Sequence, residues 1–332
     1  MAGGLKMITR KEFYENQKRC ELNIAAVAQT FPVDTEKLRK YFISYDEANR
    51  ITKLVIENEL PYDTYDKIET PKISINVSPQ ASGKTVLNDY AIKKMGKENC
   101  FLINSDELKK KYYPNSQELS KSEFSAFYSC VSDIGSNLFT RVLLNEALKR
   151  RCNIIFEGTG KSNAILDSIE PHRGIYVCKV RSLAVSAMTS LASIVERYIN
   201  QAQSKGDCAR LVRYSDFLAS FQNITHLLNV SEQRGIYTEV FTRSVTPSET
   251  TPIKIYATDQ KGRFESAHNA VLYARETDAF LRKEENLAKV RSMVDYLNKT
   301  ESSLAIHKEM LNILYRIMLL TDNSSSSVYS KF

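Results

Sequence analysis

Glycine and proline are scarce, 11 and 8 residues in 332, which excludes a collagen-like chain and argues against wholesale disorder. Apolar runs are short as well. None reaches the roughly 18 uninterrupted residues of a membrane span, and the nearest, 311–320, is broken by Arg316. The first ten residues lack the apolar stretch of a secretory signal. Histidine is rare, with four residues, and the six cysteines (Cys20, Cys100, Cys130, Cys152, Cys178 and Cys208) form no CxxC pair. Neither a zinc site nor a disulfide framework follows from such spacing. Reduced, buried thiols are expected, and with them a cytoplasmic location, in the producing cell or in another.

What is present has the balance of an ordinary globular protein: 42% hydrophobic, 26% charged and a net charge of +7. A mild basic excess suits an anionic partner such as a nucleotide, although on most proteins it is a solvated surface. The basic clusters at 109–111 and 149–151 are not interleaved with aromatics as a single-strand platform requires. No nucleic-acid partner and no membrane partner are therefore expected.

Periodicity divides the chain. A helical N-terminal extension spans 1–70, with helices read over 12–30, 35–42 and 45–60, and Pro61 ends the last. From 71 to 266, β-rich runs at 73–77, 100–103, 153–156, 175–180, 236–241 and 253–256 alternate with helical stretches. That alternation predicts an α/β core, a parallel sheet with helices on both faces. Helices return over 267–320, and 321–332, with its serine run, reads as a disordered tail. The N-terminal helices are read first as structural cover for the sheet. The apolar residues of 304–318 either cover the core or form a dimer seam.

The most informative stretch is Ile73-Ser-Ile-Asn-Val-Ser78-Pro79-Gln80-Ala81-Ser82-Gly83-Lys84-Thr85. It sets a strand, a loop and a helix in the order that a phosphate-binding P-loop requires. Successive loop N–H groups and the helix N-terminus make a concave anion site. Gly83 lets the backbone approach the ligand, Lys84 places a charge on the transferring phosphoryl group and Thr85 offers a hydroxyl to Mg²⁺. Ser78 stands where the motif calls for glycine. A GTPase reading would need Asn-Lys-x-Asp, and the nearest match, Asn298-Lys299-Thr300-Glu301, falls outside the core.

Two further strand ends carry acids. Cys100-Phe-Leu-Ile-Asn104-Ser105-Asp106 ends in a carboxylate, and in doubly wound sheets ligands bind beyond the carboxyl ends of strands. Asp106 is thus expected to face the P-loop's crevice, to accept the proton of an attacking hydroxyl or hold a magnesium-bound water; otherwise it caps the helix that follows. Asn153-Ile-Ile-Phe-Glu157-Gly158-Thr159-Gly160-Lys161 brings a second acid and two glycines to the same edge. Glu157 is either a magnesium-linked acid or an exposed turn residue.

Together these pieces resemble the zeta toxin family of P-loop small-molecule kinases. The matching blocks are SPQASGKT, Asn104-Ser105-Asp106 with Tyr113-Pro114-Asn115, Ile155 to Lys161, Ile194-Val195-Glu196-Arg197-Tyr198, and Ile255-Tyr256-Ala257-Thr258-Asp259-Gln260-Lys261-Gly262, spread over roughly 70–270. The resemblance implies an ATP- and Mg²⁺-dependent phosphotransferase with an alcohol group as acceptor, acting as a toxin or effector. It further implies a UDP-activated amino sugar or another nucleotide-containing compound as substrate, and an antitoxin or inhibitory partner, which the N-terminal helices would either supply as a built-in inhibitor of the site or dock as a separate chain. Residue by residue, Ser78 to Thr85 would bind nucleotide, Thr85 also the metal, and Asp106 would be the base. Glu157, Thr159 and Lys161 would contact the substrate, while Lys84, Arg197 and a downstream arginine, Arg210 rather than Arg213, would neutralise phosphoryl charge.

The chain departs from that pattern at Ser78 and Ala81, which replace two loop glycines, at Lys161, where arginine is usual, and at Arg141, where family members carry a substrate-binding glutamate. The alternative reading is a catalytically altered P-loop protein that binds nucleotide or a protein partner.

Overall fold

The computed structural model describes residues 7–31, 33–60, 68–96, 100–121, 124–203, 212–244, 251–260, 262–299 and 304–322. Arg210, and residues 323–332 of the expected tail, lie outside them. The chain divides into two compact units: one of 1–69, 99–154 and 201–211, the other of 70–98, 155–200 and 212–332.

The first unit is mostly helical. α1 (Arg10–Ala28) starts at a reciprocal capping box, in which Thr9 accepts from the Glu12 N–H and the Glu12 carboxylate accepts from the Thr9 N–H. A 3-10 turn (Thr35–Tyr41) follows, and α2 (Tyr45–Glu59) is capped by Ser44. After β2 (Cys100–Asn104) come α4 (Ser105–Tyr112), α5 (Ser116–Lys121) and α6 (Tyr128–Lys149). α6 is buried over most of its circumference, from Val131 and Ile134 to Phe139 and Leu143, as befits a helix packed by neighbours on several sides. Asn16 of α1 donates to the carbonyls of Asp133 and Ile134, each at 2.7 Å. Gly135 opens the notch that receives Ile43: a Cβ there would stand 2.3 Å from the Ile43 Cδ1. The Tyr113 hydroxyl lies 3.0 Å from the Tyr41 carbonyl and 2.9 Å from that of Val131.

The second unit carries β1 (Lys72–Val77), α3 (Thr85–Met95), β3 (Asn153–Gly158, from Ile155 on), α7 (Ala164–Ile169), β4 (Val177–Leu183) and α8 (Ala187–Gln203, up to Asn200). Then come α9 (Tyr214–Gln233), β5 (Tyr237–Thr242), β6 (Ile253–Ala257), α10 (Ala267–Leu281), α11 (Lys283–Lys299) and α12 (Leu304–Asp322). The strand order is β2-β3-β1-β4-β5-β6. β1, β4 and β5 run parallel, with Asn76 beside Arg181 and Arg181 beside Glu239. β6 is antiparallel to β5, which departs from a wholly parallel sheet. The link from Thr242 to Ile253 is shorter than the crossover of about a dozen residues that a parallel neighbour needs.

With β1 between β3 and β4, the loop after β1 falls where the strand order reverses, the place where open α/β sheets bind ligands. Alternation splits the strands between two faces. On one, α3 lays Leu87 against Leu183, Val185 and Phe241, and the Tyr90 ring packs edge-on 5.0 Å from that of Phe241. On the other, Ser231 of α9 and Thr238 of β5 share a buried hydrogen bond of 2.9 Å. The α3 face is not uniformly apolar, because Ser74, Asn76, Arg181 and Glu239 are all buried there.

Candidate functional site

Ser78 leaves β1 fully buried, and its hydroxyl does work that glycine could not. Its Oγ accepts from the Leu183 N–H at 2.9 Å and donates to the Val77 carbonyl at 2.6 Å, while its own N–H donates to the Gly158 carbonyl at 3.3 Å. The loop is thereby sewn to both flanking strands. Beyond it the backbone turns twice into the left-handed region, at Ala81 (φ 55°) and Gly83 (φ 90°). Glycine adopts that region freely, whereas alanine pays about 1–2 kcal/mol. Among the described residues, the N–H groups of Gln80, Ala81 and Gly83 donate to no backbone carbonyl. Such unclaimed amides in a tight turn are what an anion site offers.

The carbonyls of the same loop are gripped by cations. Lys84 folds back so that its Nζ lies 3.3 Å from the Ser78 carbonyl and 3.0 Å from that of Pro79. Arg243, just past β5, donates from Nε (3.1 Å) and Nη2 (2.6 Å) to the Ser82 carbonyl. Burial holds the Arg243 pKa below the usual arginine range, against the stabilising charge of Asp278. Thr85, first residue of α3, is exposed.

The Gln80 side chain is buried and reaches α9, its Nε2 donating to Ser220 Oγ at 3.0 Å and to the Asp216 carbonyl at 3.3 Å. The Asp216 carboxylate holds Lys161 at 2.8 Å and Arg213 at 2.9 Å. Burial alone would raise the Asp216 pKa, but Lys161 and then Arg213 outweigh it and keep the carboxyl below the ordinary aspartate range. Asn223 donates to the Gly160 carbonyl at 2.8 Å, and Gly160 (φ 69°) lies so close to Ile224 that a Cβ would come 2.8 Å from its Cγ1. α9 thus braces both the P-loop and the Glu157–Lys161 turn.

Glu157, half-buried at the end of β3, accepts from Asn88 Nδ2. Behind that contact runs a chain of donors pointing one way. The Asn88 Oδ1 accepts from Asn76 (2.9 Å), Asn76 Oδ1 accepts from Ser74 Oγ (2.7 Å), and Ser74 Oγ accepts from Arg181. Arg181 is neutralised by Glu239 at 2.7 Å, which also meets Lys254 at 3.3 Å. A guanidinium only donates and a carboxylate only accepts, so the two ends fix the direction of every amide between them.

Of the other residues singled out from the sequence, Thr159 is half-buried beside Glu157, and Arg197 is half-buried on α8. Its neighbour Glu196 pairs with Lys289 of α11 at 3.1 Å. Lys84, Thr85, Glu157, Thr159, Lys161 and Arg197 share the second unit; Asp106 belongs to the first. Asp106 is not the cap of α4: Asn104 is, accepting from the Asp106 and Glu107 N–H groups at 3.0 and 3.3 Å. Arg141, the reversed charge, pairs with Glu12 of α1 at 3.0 Å. Sequence reasoning missed Arg243, Asp216 and the Asn76–Asn88 relay. Only the relay left a signal, polar Ser74 and Asn76 at alternate positions of an otherwise apolar strand.

The model of the zeta toxin family matches residues 58–276. Among solved structures, one from the PezAT chromosomal toxin–antitoxin system of the human pathogen Streptococcus pneumoniae is similar over 85% of this chain and 98% of its own, with 12% identity and a TM-score of 0.53. The AvrRxo1-ORF1:ORF2 complex follows at 12% identity, a TM-score of 0.44 and coverage of 98% of this chain and 96% of that one. Its counterpart with ATP stands at 13%, 0.43, and 97% and 96%. No curated protein matches the chain.

Proposed function

The chain belongs to the zeta toxin family, and from that premise we propose that it is an ATP-dependent kinase acting as a toxin or effector. It transfers the γ-phosphoryl group to a hydroxyl of a small nucleotide-containing metabolite, with a UDP-amino sugar as the first candidate. The observation that carries this reading is the cradle of unclaimed amides at Gln80, Ala81 and Gly83 beside the Lys84 ammonium. Carbonyl oxygens are weak partners for an ammonium, so a phosphate entering the cradle draws Lys84 off them.

The roles follow from the chemistry of phosphoryl transfer. Asp106 takes the proton of the acceptor hydroxyl, whose oxygen bonds to the γ-phosphorus as the bond to the β-phosphate oxygen breaks and ADP leaves. Lys84, Arg197 and Arg210 neutralise charge on the phosphoryl oxygens. Glu157, Thr159 and Lys161 hold the acceptor. Thr85 presents an exposed hydroxyl at the start of α3. That fits Mg²⁺ held by Thr85 and the nucleotide's own phosphates, where it would screen their charge. A neutralising protein partner is proposed by extension from the pneumococcal toxin–antitoxin system of like fold. No helix among the described residues is long and apolar enough to cross a membrane, and a cytosol, which supplies ATP, is the proposed place of action.

The test is incubation of the purified chain with Mg·ATP and a metabolite extract, followed by mass spectrometry for a compound that gains about 80 Da. The gain is expected to vanish with Asp106→Asn, and nucleotide binding with Lys84→Ala. Nucleotide binding without transfer would instead leave a P-loop interaction protein, and transfer undiminished in Asp106→Asn would remove the base.

A further inference from the structure

A loop that aims its N–H groups inward must aim its carbonyls outward, and outward carbonyls need donors. Here two cations supply them, with opposite consequences for a bound nucleotide. Lys84 sits on the Ser78 and Pro79 carbonyls and is the residue a triphosphate would recruit. Arg243 grips the Ser82 carbonyl with two nitrogens and lies directly over Gly83, where an added Cβ would stand 3.2 Å from its Nη2. Its own position is fixed from behind. Arg282 donates to the carbonyl of the adjacent Ser244 at 2.9 Å and pairs with buried Asp278 at 3.2 Å. Asp278 in turn accepts the Ser186 N–H at 2.8 Å. Asp278, Glu285 and Glu196 oppose the charge of Arg243, and Arg282 adds to it.

We propose that Arg243 is a positioning residue for nucleotide binding: by holding the Ser82 carbonyl outward, and reaching the Ala81 carbonyl at 3.5 Å, it keeps Ala81 in the left-handed region and the loop amides aimed at the phosphates. The clamp stands in for the backbone freedom of a glycine at position 81. Its planar fork matters, because two nitrogens on one oxygen fix the direction of the carbonyl as a single ammonium does not. Arg243 touches the loop, not the phosphates.

The proposal rests on reading the loop as a nucleotide site, and the experiment separates the two. Dissociation constants for Mg·ATP and for tripolyphosphate are measured on the full chain, wild type, Arg243→Met and Arg243→Lys, with the melting temperature of each nucleotide-free protein. Arg243→Met should weaken both ligands by the same factor, about ten- to a hundredfold, the scale of a lost charged hydrogen bond. Arg243→Lys should recover part of that loss. Should the methionine variant fail to fold, the lysine variant carries the test with a smaller loss shared by both ligands. Weakening of ATP alone would overturn the proposal, by making Arg243 a contact of the base or sugar. Unchanged affinities would overturn it too. Wild-type protein that binds neither ligand would refute the nucleotide reading itself.

Discussion

Replacing Asn76 with alanine cuts the buried relay at its middle. Asn76 is fully buried and its amide does two things, accepting from Ser74 Oγ at 2.7 Å and donating to Asn88 Oδ1 at 2.9 Å. Alanine leaves the Ser74 hydroxyl without its acceptor and the Asn88 oxygen without its donor, at positions 1% and 3% exposed where water cannot substitute. Each orphaned buried group costs about 1–3 kcal/mol, so the loss should be about 2–6 kcal/mol. At about 2–4 °C per kcal/mol for a domain of 150–250 residues, the melting midpoint should fall by at least about 4 °C. Urea and thermal unfolding followed by circular dichroism measure it. Ser74→Ala and the double variant complete the cycle: because both single changes break the same link, the double should cost less than their sum. An Asn76→Ala loss below about 1 kcal/mol, well under the cost of two orphaned groups, would refute the relay as a stabilising unit, and so would strict additivity.

Two further outcomes concern α9. Asp216→Asn should destabilise the protein at pH 7 by about 1–3 kcal/mol, the scale of a charged hydrogen-bonded pair. Because the folded carboxyl is held below its unfolded value, this contribution is complete above the ordinary aspartate pKa and disappears as the pH falls through the lowered one. Denaturation midpoints of the two proteins should therefore differ at pH 7 and converge as the pH is lowered below about 4. Gly160→Ala should cost about 2–5 kcal/mol, combining a left-handed alanine with crowding against Ile224. In an Ile224→Ala background, which removes the crowded atom, only the backbone part should remain when chemical denaturation is repeated.

The site was legible where its parts are consecutive in the chain. Strand, loop and helix around Ser78–Thr85 follow from residue order, because turn chemistry, capping and periodicity act over a few positions. Glu157 at the end of β3 was legible for the same reason, as were the alternation that predicts the sheet and the family blocks, whereas Asp106 stands past the end of β2, in the first turn of α4. The direction of β6 was not, since it depends on how long a path the link from β5 takes rather than on the β6 residues themselves.

Partners were hidden wherever they lie far apart in sequence. Arg243 meets Ser82 across 161 positions, and Asn88 meets Glu157 across 69. Nothing in Arg243-Ser244 marks it as a loop clamp, just as nothing in Asp216 marks it as the acid that holds Lys161. The charge reversal at Arg141 gains its Glu12 partner only when α1 lies on α6. Local backbone preferences and the order of motifs are properties of neighbouring residues, so the sequence alone determined the P-loop, the α/β alternation and the kinase-like family. Which polar groups are buried together, and which cation holds which carbonyl, was decided only by the tertiary structure, because desolvation makes such pairing obligatory only after packing has brought distant residues together.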